Sequence, residues 1–248
     1  RPDVKLSQLK IDPEFQSKIP PLQFEEEQQL EQNIIAEGRL LNPIITWNGY
    51  ILDGHTRYRI LKKHGFIKFE VEEIQFANKY EALAWICKNQ LGRRNLSPER
   101  KKFLLGKEYE STKLAVGGQP GNCNKVNRCD QNDHIDSEKR TCERIAVEHG
   151  VGSATVRRAE KYSRGIDAAE EAVPGAQEEI LTGHIKATDE QIVALASIPK
   201  EERPAILEEL KKKKSDRDDT VLERLKPNRP PPKPKPAPQK KKPTATEN

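Results

Sequence analysis

The chain has 248 residues, 34% of them hydrophobic and 33% charged, with a formal net charge of +5. That length holds one large domain or two modest ones, and the lean apolar share predicts that part of the chain is not packed. No apolar run approaches the ~18 residues that span a bilayer, and no signal-peptide pattern opens the chain, so the expectation is a cytoplasmic protein with reduced cysteines and no membrane partner.

The chain opens on Arg1 and contains no Met, which predicts a true N-terminus further upstream. Its charge is uneven. Residues 211–248 hold 13 Lys and Arg against 5 Asp and Glu, leaving 31 against 34 in residues 1–210. The basic character therefore belongs to the end of the chain, and a basic balance alone is weak support for a nucleic-acid partner.

In chain order, "VKLSQLKID" (4–12) reads as a strand and loop. "FEEEQQLEQNIIAEG" (24–38) reads as a helix with acids in its first turn, Leu30, Ile34 and Ile35 on one face, and Gly38 as its stop. "PIITW" and "YILDG" are short β-rich runs joined by Asn48-Gly49, a strong signal for a tight hairpin turn. A helix over 55–64 follows, ended by Gly65. "IKFEVEEI" (67–74) alternates like a half-buried strand. "KYEALAWICKNQL" (79–91) is helical, with Leu83, Ile86 and Cys87 inward. Ser97 and Pro98 open a further helix over 96–115. Residues 117–136 read as a polar loop, helices resume from 138 to about 214, and the Pro/Lys-rich end reads as an extended, disordered tail. The expected division is a small α/β domain over 1–96, a helical domain over 97–210 and a tail over 211–248.

Two stretches carry the functional signals. The first is "TCERIAVEHGVGSATVRRAEKYS" (141–163), whose small residue, Gly and apolar spacing fits a helix-turn-helix. Its first helix would run from Thr141 to His149, and Ala146 is small enough for a close crossing. Gly150 would take the turn and Val151 would plug the corner. The second helix, roughly Ser153 to Tyr162, would bury Val156 and Ala159. Ser153, Ala154, Thr155, Arg157, Arg158 and Lys161 then face outward, where hydroxyls and guanidinium groups can reach base edges and phosphates. A helical hairpin with a solvated charged face is the plainer alternative. Tyr109 and Tyr162 read as packing residues.

The second stretch is "ILDGHTRYRILKKHG" (51–65), a strand, a sharp break at Gly54 and a helix. A helix N-terminus favours negative charge, yet this one carries His55, Arg57 and Arg59. Two readings are open. The turn holds an anion, with Gly54 allowing close backbone approach; or the arginines pair with Glu25, Glu26 and Glu27, or point to water.

Residues 22–99 resemble the N-terminal domain of the ParB family, which shares its fold with sulfiredoxin. "LEQNIIAEGRLLNPIITWNGY" is similar to the family's first box. "GHTRYRI" is similar to its Gly-Glu-Arg-Arg-x-Arg-Ala box at Gly54, Arg57 and Arg59. "KNQLGRRNLSPE" is similar to its Glu-Asn-x-x-Arg…Leu-x-Pro box at Asn89, Leu96 and Pro98, with Arg93 or Arg94 as the arginine. A helix-turn-helix following such a domain is also the family's layout, so the resemblance covers about 190 residues and excludes the tail.

It implies an α+β protein: a small mixed α/β ParB/sulfiredoxin-like domain, then an all-α helix-turn-helix domain. It also implies a phosphate cradle for CTP with Mg2+ at Gly54, His55, Thr56, Arg57, Arg59, Asn89, Arg93 and Arg94. The implied partners are double-stranded DNA, a partition ATPase and a second copy of the chain, at the nucleoid or on a plasmid. ParB proteins usually end in a folded dimerisation domain, which a disordered tail would not supply, so the dimer contact is expected elsewhere.

The chain departs from the family pattern in two places. His55 and Thr56 replace the glutamate and first arginine of the phosphate box, and Lys88 replaces the glutamate that helps hold the metal. A lysine there puts a repelling charge in a ligand's place, which argues against CTP hydrolysis and allows at most a CTP-hydrolysing switch. Lys88 substituting for the metal, or loss of the nucleotide site, are the alternatives. The reactive Cys of sulfiredoxin would fall at 55, which is His, and Cys87 reads as a core residue. Cys123, Cys129, His134 and Cys142 lack paired C-x-x-C zinc spacing. A metal-dependent nuclease would need clustered carboxylates, and Asp53 stands alone. The reading is a sequence-specific DNA-binding protein of plasmid, phage or chromosome partition; a transcriptional regulator without nucleotide binding is the alternative.

Overall fold

The computed structural model describes residues 4–93, 95–117 and 131–226, without the side chains of 116, 117 and 131–139. It is α+β, a small sheet unit followed by a helical unit. After a 3-10 turn at Leu6–Gln8 come α1 (Pro13–Ser17) and α2 (Phe24–Glu37). Then follow β1 (Ile44–Trp47), β2 (Tyr50–Asp53), α3 (His55–Lys63), β3 (Val71–Glu73) and α4 (Lys79–Leu91). The helical unit comprises α5 (Pro98–Gly117), α6 (Gln131–Glu148), α7 (Ser153–Ala172), α8 (Ala176–Leu181), α9 (Asp189–Leu195), α10 (Arg203–Lys211) and α11 (Asp219–Leu222). No helix among the described residues is long and apolar enough to cross a membrane.

The sheet has the order β2-β1-β3, with β1 antiparallel to β2 and parallel to β3. Asn48 and Gly49 take φ of 49° and 78°, as a primed hairpin turn requires. The expected strand at 4–12 is instead the 3-10 turn plus one bridge from Lys10 to Tyr50. Asp12 ends any pairing there because its side chain caps α1, accepting from the Glu14 N–H at 2.8 Å, and Pro13 has no N–H to pair. The expected strand over 67–74 shortens to three residues. Lys68 bonds back to Gly38 and Leu40, and the ladder resumes only at Ile44 N–H to Glu70, past Pro43.

The stop signal holds for α2, whose Gly38 takes φ 65°, and the Ser97 start holds for α5, where its hydroxyl accepts from the Arg100 N–H at 3.2 Å; α4 spans the expected 79–91. Two details differ. Ile35 faces solvent, leaving Ile34 and Leu30 to pack on the sheet. The α3 helix is capped at His64, whose N–H bonds to the Ile60 carbonyl, not at Gly65.

The α4 helix packs on both units: Ala82, Leu83 and Ile86 meet Phe15 and Leu52, while Cys87 joins Leu96 and Phe103 of the helical core. Burial pushes the Cys87 thiol up to about 12, as an inert core cysteine requires. The helices α5 and α7 cross so closely that a Cβ on Gly106 would stand 2.2 Å from the Ala159 carbonyl oxygen. Only glycine fits there.

The hairpin of α6 and α7 forms with Gly150 at φ 64° and the Val151 N–H bonded to the Ala146 carbonyl at 2.9 Å. Cys142, Ile145, Ala146, Val156 and Ala159 are buried together against Leu105 and Tyr109. The α6 helix begins at Gln131, inside the expected loop, whose remaining residues 118–130, with Cys123 and Cys129, lie outside the described residues. The α7 helix continues to Ala172, well past Tyr162, because Ile166, Ala168 and Ala169 keep its inner face apolar. The expected tail boundary at 211 also moves. Leu222 and Leu225 insert into the helical core, and Arg217 donates to the Lys186 and Leu210 carbonyls, both at 2.7 Å. Residues 227–248 lie outside the described residues.

Candidate functional site

Strand β2 delivers Asp53 to the break before α3, and Gly54 caps the helix at φ 103°. A Cβ at Gly54 would stand 3.1 Å from the Arg57 guanidinium, so glycine lets Arg57 fold back over the turn. There Arg57 pairs with Asp53 at 2.9 Å, and Arg93 reaches the other oxygen of the same carboxylate at 2.8 Å. One aspartate thus holds two arginines. Arg59 turns the other way and pairs with Glu27 at 3.0 Å. Of the two readings of these arginines, the acidic turn claims Arg59 and Asp53 claims Arg57.

The structure divides the sequence-derived site. His55, Thr56 and Arg59 line a cavity of about 550 Å3 between the sheet unit and the helical unit. Arg57 instead lines a separate hollow of about 340 Å3 beside Arg39 and Asn42. Asn89 is exposed on α4 and lines neither cavity, and Arg94 lies outside the described residues.

His55 is only 5% exposed, and neither ring nitrogen has a hydrogen-bond partner among the described residues. Burial pushes its pKa down to about 4 against the attraction of Asp53, with Arg59 reinforcing the fall. The imidazole is therefore neutral at pH 7.

Lys18 lines the same cavity and was not marked by the sequence. It follows α1 and is 7% exposed. Its ammonium donates to the Ser17 hydroxyl at 3.1 Å and lies 5.5 Å from the Phe103 ring centre, with no carboxylate at ion-pair distance among the described residues. Burial, aided by the charge of Lys107, holds its pKa below the ordinary lysine value.

The opposite wall is acidic but already engaged. Asp167 pairs with Lys107, and Glu178 pairs with Arg100. Glu170 accepts from the Gly175 and Gln177 N–H groups at 2.9 and 2.8 Å, and Glu171 holds Arg203 at 2.8 Å. A direct tie crosses the cavity, from the Gln177 amide to the Ser17 carbonyl at 2.8 Å.

The residues do not fit a metal at the position the resemblance implies. Lys88 points to Glu148 of α6 at 3.1 Å. Among the described residues, Glu108, Glu148 and His149 form one cluster of potential ligands, under the α6–α7 turn. It is occupied internally: His149 bonds to the buried Glu108 at 2.7 Å, while Lys88 and Arg144 share Glu148. Desolvation raises the Glu108 pKa, which His149 opposes. Asp53, with both oxygens on arginines, offers no free ligand to a nuclease metal. Of the four imagined zinc ligands, Cys142 is buried with its thiol on the Ser153 carbonyl; Cys123, Cys129 and the His134 side chain lie outside the described residues.

On α7, Ala154, Thr155, Arg157, Arg158 and Lys161 are exposed and Ser153 half-buried, while Val156 and Ala159 are fully buried. Arg157, Arg158 and Lys161 have no ion-pair partner among the described residues. Their neighbours differ: Lys107, Lys113 and Arg164 are all paired. Tyr109 and Tyr162 are buried packing residues, each under a lysine ammonium 4.6 Å from the ring centre.

No family model matches the chain, and no curated protein matches it. Among solved structures, the chain is similar to a Pnob8-like ParB-N domain at 15% identity and a TM-score of 0.45, over 84% of this chain and 96% of that one. It is similar to the C-terminally truncated chromosome-partitioning protein ParB from Caulobacter crescentus complexed to the centromeric parS site, at 16% identity and a TM-score of 0.36, over 82% of this chain and 89% of that one.

Proposed function

We propose that the chain is a sequence-specific double-stranded DNA-binding protein of the ParB type, reading its site through the N-terminal half of α7. The observation that carries this reading is the unpaired cationic face of that helix. Three cations stand exposed with no carboxylate at ion-pair distance among the described residues, directly after a first turn bearing Ser153 and Thr155. Unpaired guanidinium groups retain their charge for phosphates and their donors for guanine edges, while the Ser153 and Thr155 hydroxyls at the positive end of the helix suit phosphate contact.

The test is to select a preferred duplex from a random library and then measure its affinity for a Thr155→Ala, Arg158→Ala double variant. Affinity is expected to fall by tens of fold, corresponding to roughly 1–3 kcal/mol for a lost base contact, with unchanged melting. Unchanged affinity would remove α7 as the reading helix.

The N-terminal unit adds a second element to the reading, a site for CTP or another phosphate ligand. His55, Thr56 and Arg59 at the start of α3 favour it, because they share one cavity of about 550 Å3, a size suited to a nucleotide. Calorimetric titration with CTP and other nucleoside triphosphates tests it. No heat with any of them leaves a DNA-binding protein without a nucleotide switch.

A further inference from the structure

We propose that Lys18 is the principal counter-charge of the anion site, meeting the phosphate chain of its ligand in the cavity between α1, α3 and the α7–α8 junction. This rests on the reading of that cavity as a phosphate site and changes which residue dominates it.

The argument starts from an imbalance. A buried ammonium is strongly disfavoured unless a counter-charge or several acceptors meet it. Lys18 has one hydroxyl and one aromatic ring. The carboxylates on the facing wall do not repair this: Asp167, Glu171 and Glu178 are paired with Lys107, Arg203 and Arg100, Glu170 is turned onto the Gly175 and Gln177 N–H groups, and none of the four lies at ion-pair distance from Lys18. The fields of Lys107 and Asp167 on Lys18 oppose each other, as expected of a neighbouring closed pair.

His55 supplies the independent observation. It is 5% exposed, lines the same cavity and leaves both ring nitrogens without a partner among the described residues. Its Nδ1 or Nε2 can donate to a phosphate oxygen while the ring stays neutral. The Thr56 hydroxyl, whose oxygen accepts from Arg59 at 3.5 Å, keeps its own proton to donate beside His55, at a helix start whose partial positive charge favours an anion.

The arginines that attract attention in the sequence are weaker candidates. Arg57 is neutralised by Asp53 and lines a different hollow. Arg59 is half exposed and held by Glu27. Among the cations lining the cavity, Lys18 is the one without a carboxylate at ion-pair distance among the described residues; the Glu170 carboxylate on the facing wall, held by backbone N–H groups alone, keeps its charge and sets the end of the cavity that a phosphate would avoid.

The test titrates CTP and, separately, inorganic triphosphate into the full chain and into Lys18→Met and Arg59→Gln variants, with melting followed in parallel. Methionine keeps the length and removes the charge. Lys18→Met is expected to weaken both ligands about a hundredfold, the scale of truncating a buried charge pair, and Arg59→Gln about threefold. Without ligand, Lys18→Met is expected to melt higher than the parent, because an uncompensated buried charge has gone. Binding of CTP alone, lost in Lys18→Met, supports the proposal with a nucleotide as the source; binding of both supports it with the polyphosphate alone as the recognised group. Unchanged affinity in Lys18→Met overturns it and leaves the phosphate site standing. A lower melting midpoint marks Lys18 as structural and overturns it too. No binding by the parent chain overturns both.

Discussion

The first turn of α3 and the first turns of α7 carry the same kinds of side chain, yet they stand in opposite electrostatic states. At α3, Arg57 and Arg93 share Asp53, and Arg59 lies on Glu27. At α7, Arg157, Arg158 and Lys161 stand exposed with no carboxylate within reach among the described residues. A cluster of arginines is thus not in itself a ligand site. What matters is whether the fold has already supplied the anion. Around α3 it has done so for the arginines, and the groups left unsatisfied there are the quieter ones, His55 and Lys18.

The comparison breaks most sharply if His55 is made cationic. Folded, its imidazole takes a proton only near pH 4; its ordinary value is 6.5. As pH falls below about 6.5 the unfolded chain binds the proton first, so folding stability is full above that pH and is lost progressively down to about 4. The loss is expected to reach about 3 kcal/mol, from 1.36 kcal/mol per unit. Thermal melts of the parent and of His55→Leu between pH 7.5 and 4.5 check this. The parent should lose stability across the window, and the variant should lose less by most of that amount. Identical slopes would mean that His55 is not buried neutral.

Removing Asp53 comes next. Asp53→Asn leaves Arg57 and Arg93 facing each other without their shared carboxylate, so the α3 turn would come to resemble α7 in charge. Both guanidinium groups are partly exposed, which limits the damage to about 2 kcal/mol, as read from chemical denaturation. A loss below about 0.5 kcal/mol would show that the two ion pairs do not hold the turn.

Much of the scaffold was legible because its signals are local. The stop at Gly38, the start at Ser97 and the Asn48-Gly49 turn are written within a few residues of the elements they bound. The outer face of α7 was legible for the same reason: Val156 and Ala159 fix which side is inward. The failures are non-local. The shortness of β3 depends on the path of a different segment, which pairs with Lys68 at Gly38 and Leu40 and again only from Ile44, and the folding of 211–226 depends on Leu222 and Leu225 finding a core built from α5, α7 and α9. Lys18 carries no local signal, because what marks it is non-local: its ammonium meets the Phe103 ring, and it shares a cavity with residues of the α7–α8 wall. The Lys88–Glu148 pair spans 60 positions, beyond any reading of neighbours.

The smallest expected effect is the finest probe of the contrast. Glu27→Gln frees Arg59, whose side chain is 50% exposed, from a partner that is 26% exposed. An ion pair so open to water contributes little, so stability should change by less than about 1 kcal/mol. The released charge stays beside His55 and Thr56 at the cavity. Phosphate-ligand affinity should therefore rise about threefold at low salt and return to the parent value near 1 M salt, where the screening length shrinks to about 3 Å. No equivalent substitution is available for Arg157, Arg158 and Lys161, because none of them is ion-paired among the described residues; Glu160 of the same helix is held by Lys113 and Arg164. If Glu27→Gln leaves affinity unchanged at low salt, Arg59 does not act on the cavity at all. The anion site would then be left to the α3 backbone, His55, Thr56 and Lys18.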